Sequence, residues 1–210
     1  MITPFHNNAV RIEICGSIAS GKTTLANLLG SREIQIFLEN FSSNPFWEAF
    51  YIDPVNTAFE TEITFLLQHY HQIKIGSSLQ QNFACDFSLA LDCAYANVTL
   101  SGSRLDTFHK VYKEASSHLV PPALLIFLQC SPEIQLQRIA SRGREIEKSI
   151  TVNYLASLND SLTSLISTLP ETQKVLLIDS ASNDFAHNEG TRTLIVEQVL
   201  EALQSASRPE

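Results

Sequence analysis

Eight consecutive residues, Gly16-Ser17-Ile18-Ala19-Ser20-Gly21-Lys22-Thr23, fit the pattern G-x-x-x-x-G-K-[ST]. That spacing binds phosphate. Its glycines let the backbone turn so that successive N–H groups point inward, and a following helix N-terminus adds partial positive charge. Lys22 is then expected to reach the β and γ phosphates of a nucleoside triphosphate such as ATP, and the Thr23 hydroxyl to ligate Mg²⁺, with Thr24 beside it. A second group, Arg138, Arg142, Arg144 and Lys148, gathers the densest positive charge of the chain around Gly143. Arg138 and Arg142 stand at i and i+4 and share one helix face. Guanidinium groups suit phosphoryl transfer because they spread charge over the oxygens of the moving group. The apolar run at 124–128 ends in Gln129-Cys130, not in an aspartate. That ending disfavours motor ATPases and GTPases and leaves a small-molecule kinase.

These residues need a scaffold. Alternation over 10–15 predicts a strand that runs into the glycine turn, and 23–29 reads as a helix stopped by Gly30. A second strand is expected at 34–38. Asp53-Pro54 caps and opens a long helix carrying Phe59, Ile63, Leu66, Leu67, Tyr70 and Ile73 at helical spacing. A short strand at 82–87, helices at 89–100 and 105–119, and the most apolar strand at 123–129 follow. Ser131-Pro132-Glu133 opens a helix ending at Gly143; a helix at 151–169, a fifth strand at 174–178 and a closing helix at 193–203 complete the chain. Alternating strands and helices imply a parallel α/β sheet.

The chain has 210 residues, 44% of them hydrophobic, and a formal charge of −8. No repeat or linker divides it, so one domain over 1–210 is expected. The acidic balance argues against holding a nucleic-acid polymer. The longest apolar run, 121–128, is far short of a membrane span, and Met1-Ile2-Thr3-Pro4 opens no signal peptide. A cytoplasmic protein is expected, with Cys15, Cys85, Cys93 and Cys130 as reduced, buried thiols, since no C-x-x-C pairing occurs.

Further motifs, in order along the chain, resemble the deoxynucleoside kinase family, in particular the bacterial deoxyadenosine and deoxyguanosine kinases. Glu39 stands five residues before Asn44-Pro45-Phe46, as the family's strand-end glutamate precedes N-P-[FY]. Phe50-Tyr51-Ile52-Asp53-Pro54 looks like F-Y-x-D-P, Asp86-Phe87-Ser88 takes the place of [DE]-R-S, and Arg138 to Glu147 resembles the lid R-x-x-x-R-x-R-x-x-E. Tyr154-Leu155, with Asn159, follows as in Y-L-x-x-L-[HN]. The resemblance runs from residue 12 to about 184.

The resemblance implies a P-loop NTPase-type fold: five parallel strands in order 2-3-1-4-5, helices on both faces, and an Arg-rich lid at about 138–150. It implies ATP and Mg²⁺, a small-molecule nucleoside substrate, no membrane, and a homodimer formed by helix packing. Glu39 becomes the base that accepts the 5′-hydroxyl proton, and Tyr51 supports the sugar 3′-hydroxyl. Asp86 joins Thr23 on Mg²⁺, and Asp92 contacts the base. Arg142 and Arg144 meet the phosphates, and Glu147 lies near the sugar.

Three positions depart from the family. Glu62 stands where a glutamine reads the base edge, and His69 stands where some relatives carry arginine. Glu62 and His69 are expected on nearly one helix face with Phe65 between them, lining one pocket. If Glu62 is ionised it offers acceptors only, which favours guanine; adenine stays open. The third departure, Phe87 in place of the motif arginine, removes a donor expected beside Glu39. The leading reading is transfer of the ATP γ-phosphoryl group to the 5′-hydroxyl of a (deoxy)nucleoside. A kinase of a nucleotide or modified nucleoside, and a weakly active ATP-binding regulatory subunit of a kinase heterodimer, are the alternatives.

Overall fold

The computed structural model describes residues 9–206. Five strands, β1 (Arg11–Cys15), β2 (Gln35–Phe37), β3 (Phe83–Cys85), β4 (Leu124–Gln129) and β5 (Val175–Asp179), form one sheet in the order β2-β3-β1-β4-β5. Every neighbouring pair is parallel. This is the expected order. All five residues of β1 and the first five of β4 are buried, as strands covered on both faces must be.

Two apolar layers cover the sheet. On one face α1 (Lys22–Gly30) and α8 (Glu189–Ala206) pack Leu25, Leu29, Ile195 and Val199 against Ile12, Ile14 and Ile126. The other face carries α3 (Pro54–Ser78), α4 (Leu89–Thr99), α5 (Gly102–Ser117) and α7 (Val152–Ser167). Leu66, Ile73, Phe83, Phe87 and Phe108 form the centre of that layer. α2 (Trp47–Ile52) precedes α3, and α6 (Pro132–Arg142) lies between β4 and α7.

Local chemistry accounts for the boundaries. Asp53 accepts a bond from the Asn56 amide and Pro54 opens α3; Ser88, Ser131 and Thr151 cap α4, α6 and α7 in the same way. Several expectations shift. β3 ends at Cys85, short of Phe87, because Asp86 turns its side chain into the site. α5 begins three residues earlier than its apolar spacing suggested, and α8 four. The short helix α2 carries no buried residue, so no apolar period announced it.

Gly76 fixes how closely α3 approaches the sheet. A Cβ there would stand 2.5 Å from the ring of Phe83, which is itself buried. Gly→Ala inside a helix ordinarily gains about 0.5–1 kcal/mol. At Gly76 the clash reverses the sign, and Gly76→Ala is expected to cost about 1–3 kcal/mol, read as a lower midpoint in urea denaturation.

Candidate active site

The C-terminal ends of β1, β2 and β3 open onto one cavity of about 690 Å³, where ligands sit in open parallel sheets. β1 delivers the phosphate loop. Gly16 has φ +153°, and a Cβ there would lie 2.8 Å from the Leu128 carbonyl, so only glycine lets the loop turn against β4. Ala19 takes φ +59°, a left-handed conformation uncommon outside glycine. Lys22, first residue of α1, folds its ammonium onto the Gly16 and Ser17 carbonyls at 2.8 and 3.2 Å. Ile18, Ala19, Gly21, Lys22, Thr23 and Thr24 face the cavity, whereas Ser17 and Ser20 are buried behind it.

That loop is braced from behind by residues outside the phosphate motif. Gln135 donates to Ser17 Oγ and, at 2.9 Å, to the Ile18 carbonyl. Ser17 donates in turn to Asn159 at 2.6 Å, and Asn159 donates to Gln135 and to the Cys130 carbonyl. Gln135 on α6 escapes a sequence reading because a glutamine in an amphipathic helix looks like a solvated one.

Asp86 is the junction. It accepts from Thr23 Oγ1 at 2.6 Å and from the Glu39 amide at 2.5 Å, and it is buried. Thr23 and Asp86 thus place hard oxygen donors together beside Lys22. They are a donor set suited to Mg²⁺, which takes one or two protein oxygens and fills its remaining positions with phosphate and water. No group of three or more His, Cys, Asp or Glu able to hold a metal occurs among the described residues.

Beyond Glu39 the cavity widens into an aromatic and acidic pocket lined by Tyr51, Glu62, Phe65, Asp92 and Tyr95. Burial pushes the Tyr51, Tyr95 and Tyr154 hydroxyls up, so all three enter chemistry as neutral phenols. Burial also raises Glu62, to about 8. The residues alone leave open whether Glu62 is ionised; its burial favours the carboxylic acid, which offers a donor as well as an acceptor. Its neighbour Thr99 lies 2.9 Å from Glu62 Oε1 and 2.9 Å from the Tyr95 carbonyl. One hydroxyl hydrogen can serve one of these at a time, which a protonated Glu62 accommodates.

His69 departs from expectation. It lies outside the lining of the cavity that Glu62 and Phe65 face. Its Nδ1 contacts Asp92 at 2.9 and 3.0 Å, its Nε2 faces Glu39 Oε1 at 3.6 Å, and the residue is 3% exposed. The side chain points across the helix toward the acids, not along it. Burial alone would lower its pKa, but the charge and hydrogen bond of Asp92, with Glu39 beyond, raise it. The half-buried Glu39 is itself pushed up by burial and drawn back by His69 and Lys22.

The lid arginines divide. Arg138 is not part of the free end: it donates to the Ala19 carbonyl at 3.2 Å and the Ser180 carbonyl at 2.6 Å, tying α6 to the phosphate loop. Arg142 and Arg144 pair with Glu147 at 2.6 and 3.2 Å, and Arg144 lies over the Phe41 ring. The three, with Arg138, line the same cavity. So does a segment the sequence left unassigned, Asn183 to His187, whose Phe185 packs near Gly21; its polar composition carried no signal.

Known proteins resemble this chain in sequence and in fold. The chain is 31% identical over 205 residues to the deoxyguanosine kinase of Bacillus subtilis (strain 168), covering 94% of this chain and 99% of that protein. It is 30% identical over 176 residues to the deoxyadenosine kinase of Dictyostelium discoideum, covering 75% of this chain and 72% of that one. Its fold superposes on a solved deoxyadenosine kinase from M. mycoides, bound to the products dCMP and dCDP. The TM-score is 0.78 at 24% identity, over 93% of this chain and 99% of the other. A pattern for one enzyme family spans residues 12–204. With that span matched, and with the phosphate loop, Asp86 and Glu39 meeting in one cavity, the chain belongs to the deoxynucleoside kinase family.

Proposed function

We propose that this protein transfers the γ-phosphoryl group of ATP to the 5′-hydroxyl of a purine deoxynucleoside. One observation carries the reading: Glu39 stands between the phosphate loop and the aromatic pocket, its amide 2.5 Å from the Asp86 carboxylate that also holds Thr23. A carboxylate at that boundary touches both substrates. The purine names of the Bacillus and Dictyostelium relatives support the choice of base class.

The loop amides and Lys22 bind the triphosphate, and Lys22 exchanges the Gly16 and Ser17 carbonyls for phosphate oxygens. Thr23 and Asp86 would hold Mg²⁺, which neutralises charge across the β and γ phosphates. Glu39 accepts the 5′-hydroxyl proton. Tyr51 supports the sugar and Asp92 and Glu62 face the base, with Phe65 against its ring. Arg142 and Arg144 leave Glu147 to meet the transferring group as the lid closes and excludes water. Glu147 is then free to turn toward the sugar.

A neutral Glu62 has both a donor and an acceptor to offer, as an amide does. The acceptor-only argument for guanine therefore lapses, and adenine and guanine are both served. Above pH 8 the acid ionises. The deoxyadenosine KM of the wild type is expected to rise there, because the ionised acid has lost its donor, while Glu62→Gln matches the wild type at pH 7 and shows no such rise. The linkage has the same sign in stability. Glu62 holds its proton more tightly when folded, so its contribution is full below the ordinary value of 4.5 and is lost as pH rises through about 8. The Gln variant lacks that loss in a pH series of denaturation midpoints.

A homodimer formed by helix packing, and action in a reducing cytoplasm, complete the reading. Exposed Ile52, Val55 and Leu67 on α2 and α3 support the first, and four free, buried cysteines the second. The deciding experiment is ATP turnover with Mg²⁺ against ribo- and deoxynucleosides and their monophosphates. Turnover of purine deoxynucleosides is expected; turnover of monophosphates alone, or ATP binding with no transfer, would replace the proposal with a nucleotide kinase or a regulatory subunit.

A further inference from the structure

Phe87 and His69 occupy one stack. The His69 ring lies face to face on Phe87, centroids 4.1 Å apart at 9°, and Phe65 stacks near it at 5.8 Å and 26°. Phe87 is fully buried. Gripped in this way, the ring has little freedom to rotate, and both of its nitrogens face carboxylates: Nδ1 is 2.9 Å from Asp92 Oδ1, and Nε2 is 3.6 Å from Glu39 Oε1.

A neutral imidazole has one N–H and one lone pair. With both carboxyls ionised, a neutral ring would set its lone pair against a carboxylate oxygen, on one side or the other. Only the doubly protonated ring presents a hydrogen to both. The Phe87 face against the ring favours a cation as well. Beyond the two carboxylates, Asp86 and Glu13 add negative charge; Arg11 is bound to Glu13 at 3.0 Å, and Lys22 sits on the loop carbonyls. Among the described residues, His69 is the one basic side chain within ion-pair distance of Glu39.

We infer that His69 is a positioning residue for the reaction: an imidazolium clamped by Asp92 and stacked on Phe87, whose Nε2–H orients and neutralises the Glu39 carboxylate. The inference rests on the kinase reading above. It also gives Phe87 a role. The side chain at that position supplies no charge to Glu39, but its ring aims the residue that does.

Two measurements on the purified full chain separate this inference from the kinase reading. The first needs no turnover. Nitrogen-15 shifts of His69 in the unliganded protein at pH 7 should show both ring nitrogens protonated; a neutral ring overturns the proposal even if the enzyme is active. The second is kinetic. His69→Ala and His69→Gln are expected to lower kcat by about 100-fold, the scale of losing one preorganised donor, with the KM for ATP unchanged. Imidazole added to His69→Ala should restore kcat, and pyrazole, of the same shape but uncharged near neutral pH, should not. Equal rescue by both would reduce His69 to a filler of the stack, and an undiminished kcat in both variants would remove it from the mechanism. A wild type that phosphorylates no deoxynucleoside would retire the kinase reading, and the nitrogen shifts would still decide the charge on His69.

Discussion

Glu39→Gln is expected to lower kcat for deoxynucleoside phosphorylation by about 10³-fold, within the range attributed to a positioned general base. The amide keeps the size and the backbone of the carboxylate, so the bond from its own N–H to Asp86 persists. ATP binding should therefore be unchanged, as measured by calorimetry with Mg²⁺ present. The variant separates chemistry from binding because Glu39 enters the mechanism only as the acceptor of the 5′-hydroxyl proton. Turnover within a few-fold of wild type would dismiss Glu39 as the base and move attention to Asp92, a buried acid of the same pocket.

Asp86→Asn is expected to be nearly as damaging, with a different signature. Asp86 accepts from Thr23 Oγ1 and from the Glu39 amide at the same time. The amide side chain keeps one acceptor oxygen and replaces the other with a donor NH₂, which cannot accept from either partner. Loss of the charge weakens the hold on Mg²⁺, and loss of one bond frees either Thr23 or Glu39. A fall in kcat of about 100-fold or more is expected, on the scale of a lost electrostatic group, with saturation requiring higher Mg²⁺. Glu39→Gln should leave the Mg²⁺ requirement where it was. A Mg²⁺ titration of both variants distinguishes them, and an unshifted requirement in Asp86→Asn would take Asp86 out of the metal site.

Much of this was legible in the residues. The phosphate loop declares itself because phosphate binding is done by backbone geometry, which demands glycine at fixed places, and by one lysine and one hydroxyl at fixed offsets. The strand order followed from the family resemblance, and the parallel α/β class from alternating apolar periods; both agree with the sheet observed. Local capping chemistry placed α3 and α6 closely. Less legible were the pieces that bury little. α2 has no apolar stripe, and the Asn183 to His187 segment reaches the cavity only because α8 packs on α1 and carries it there.

The pairings inside the site belong to the tertiary structure. Spacing along α3 put Glu62 and His69 on one face, and the expectation that they share a pocket followed from that face alone. The packed structure separates them: Glu62 meets Thr99 of α4 across the helix interface, and His69 turns to Asp92 and Glu39. The same division holds for charge. The sequence contains Glu62, but its proton is a consequence of desolvation, which depends on what surrounds it and not on its neighbours in the chain. Phe87 reads in the sequence as a lost arginine and in the fold as the floor under His69. By itself the sequence determined the phosphate-binding backbone, the parallel sheet and the kinase family, because these depend on residue type and spacing. Tertiary packing decided how burial shifts each acid, which arginines are tied, and which basic side chain faces Glu39, because those depend on distances of a few ångströms between elements far apart in the chain.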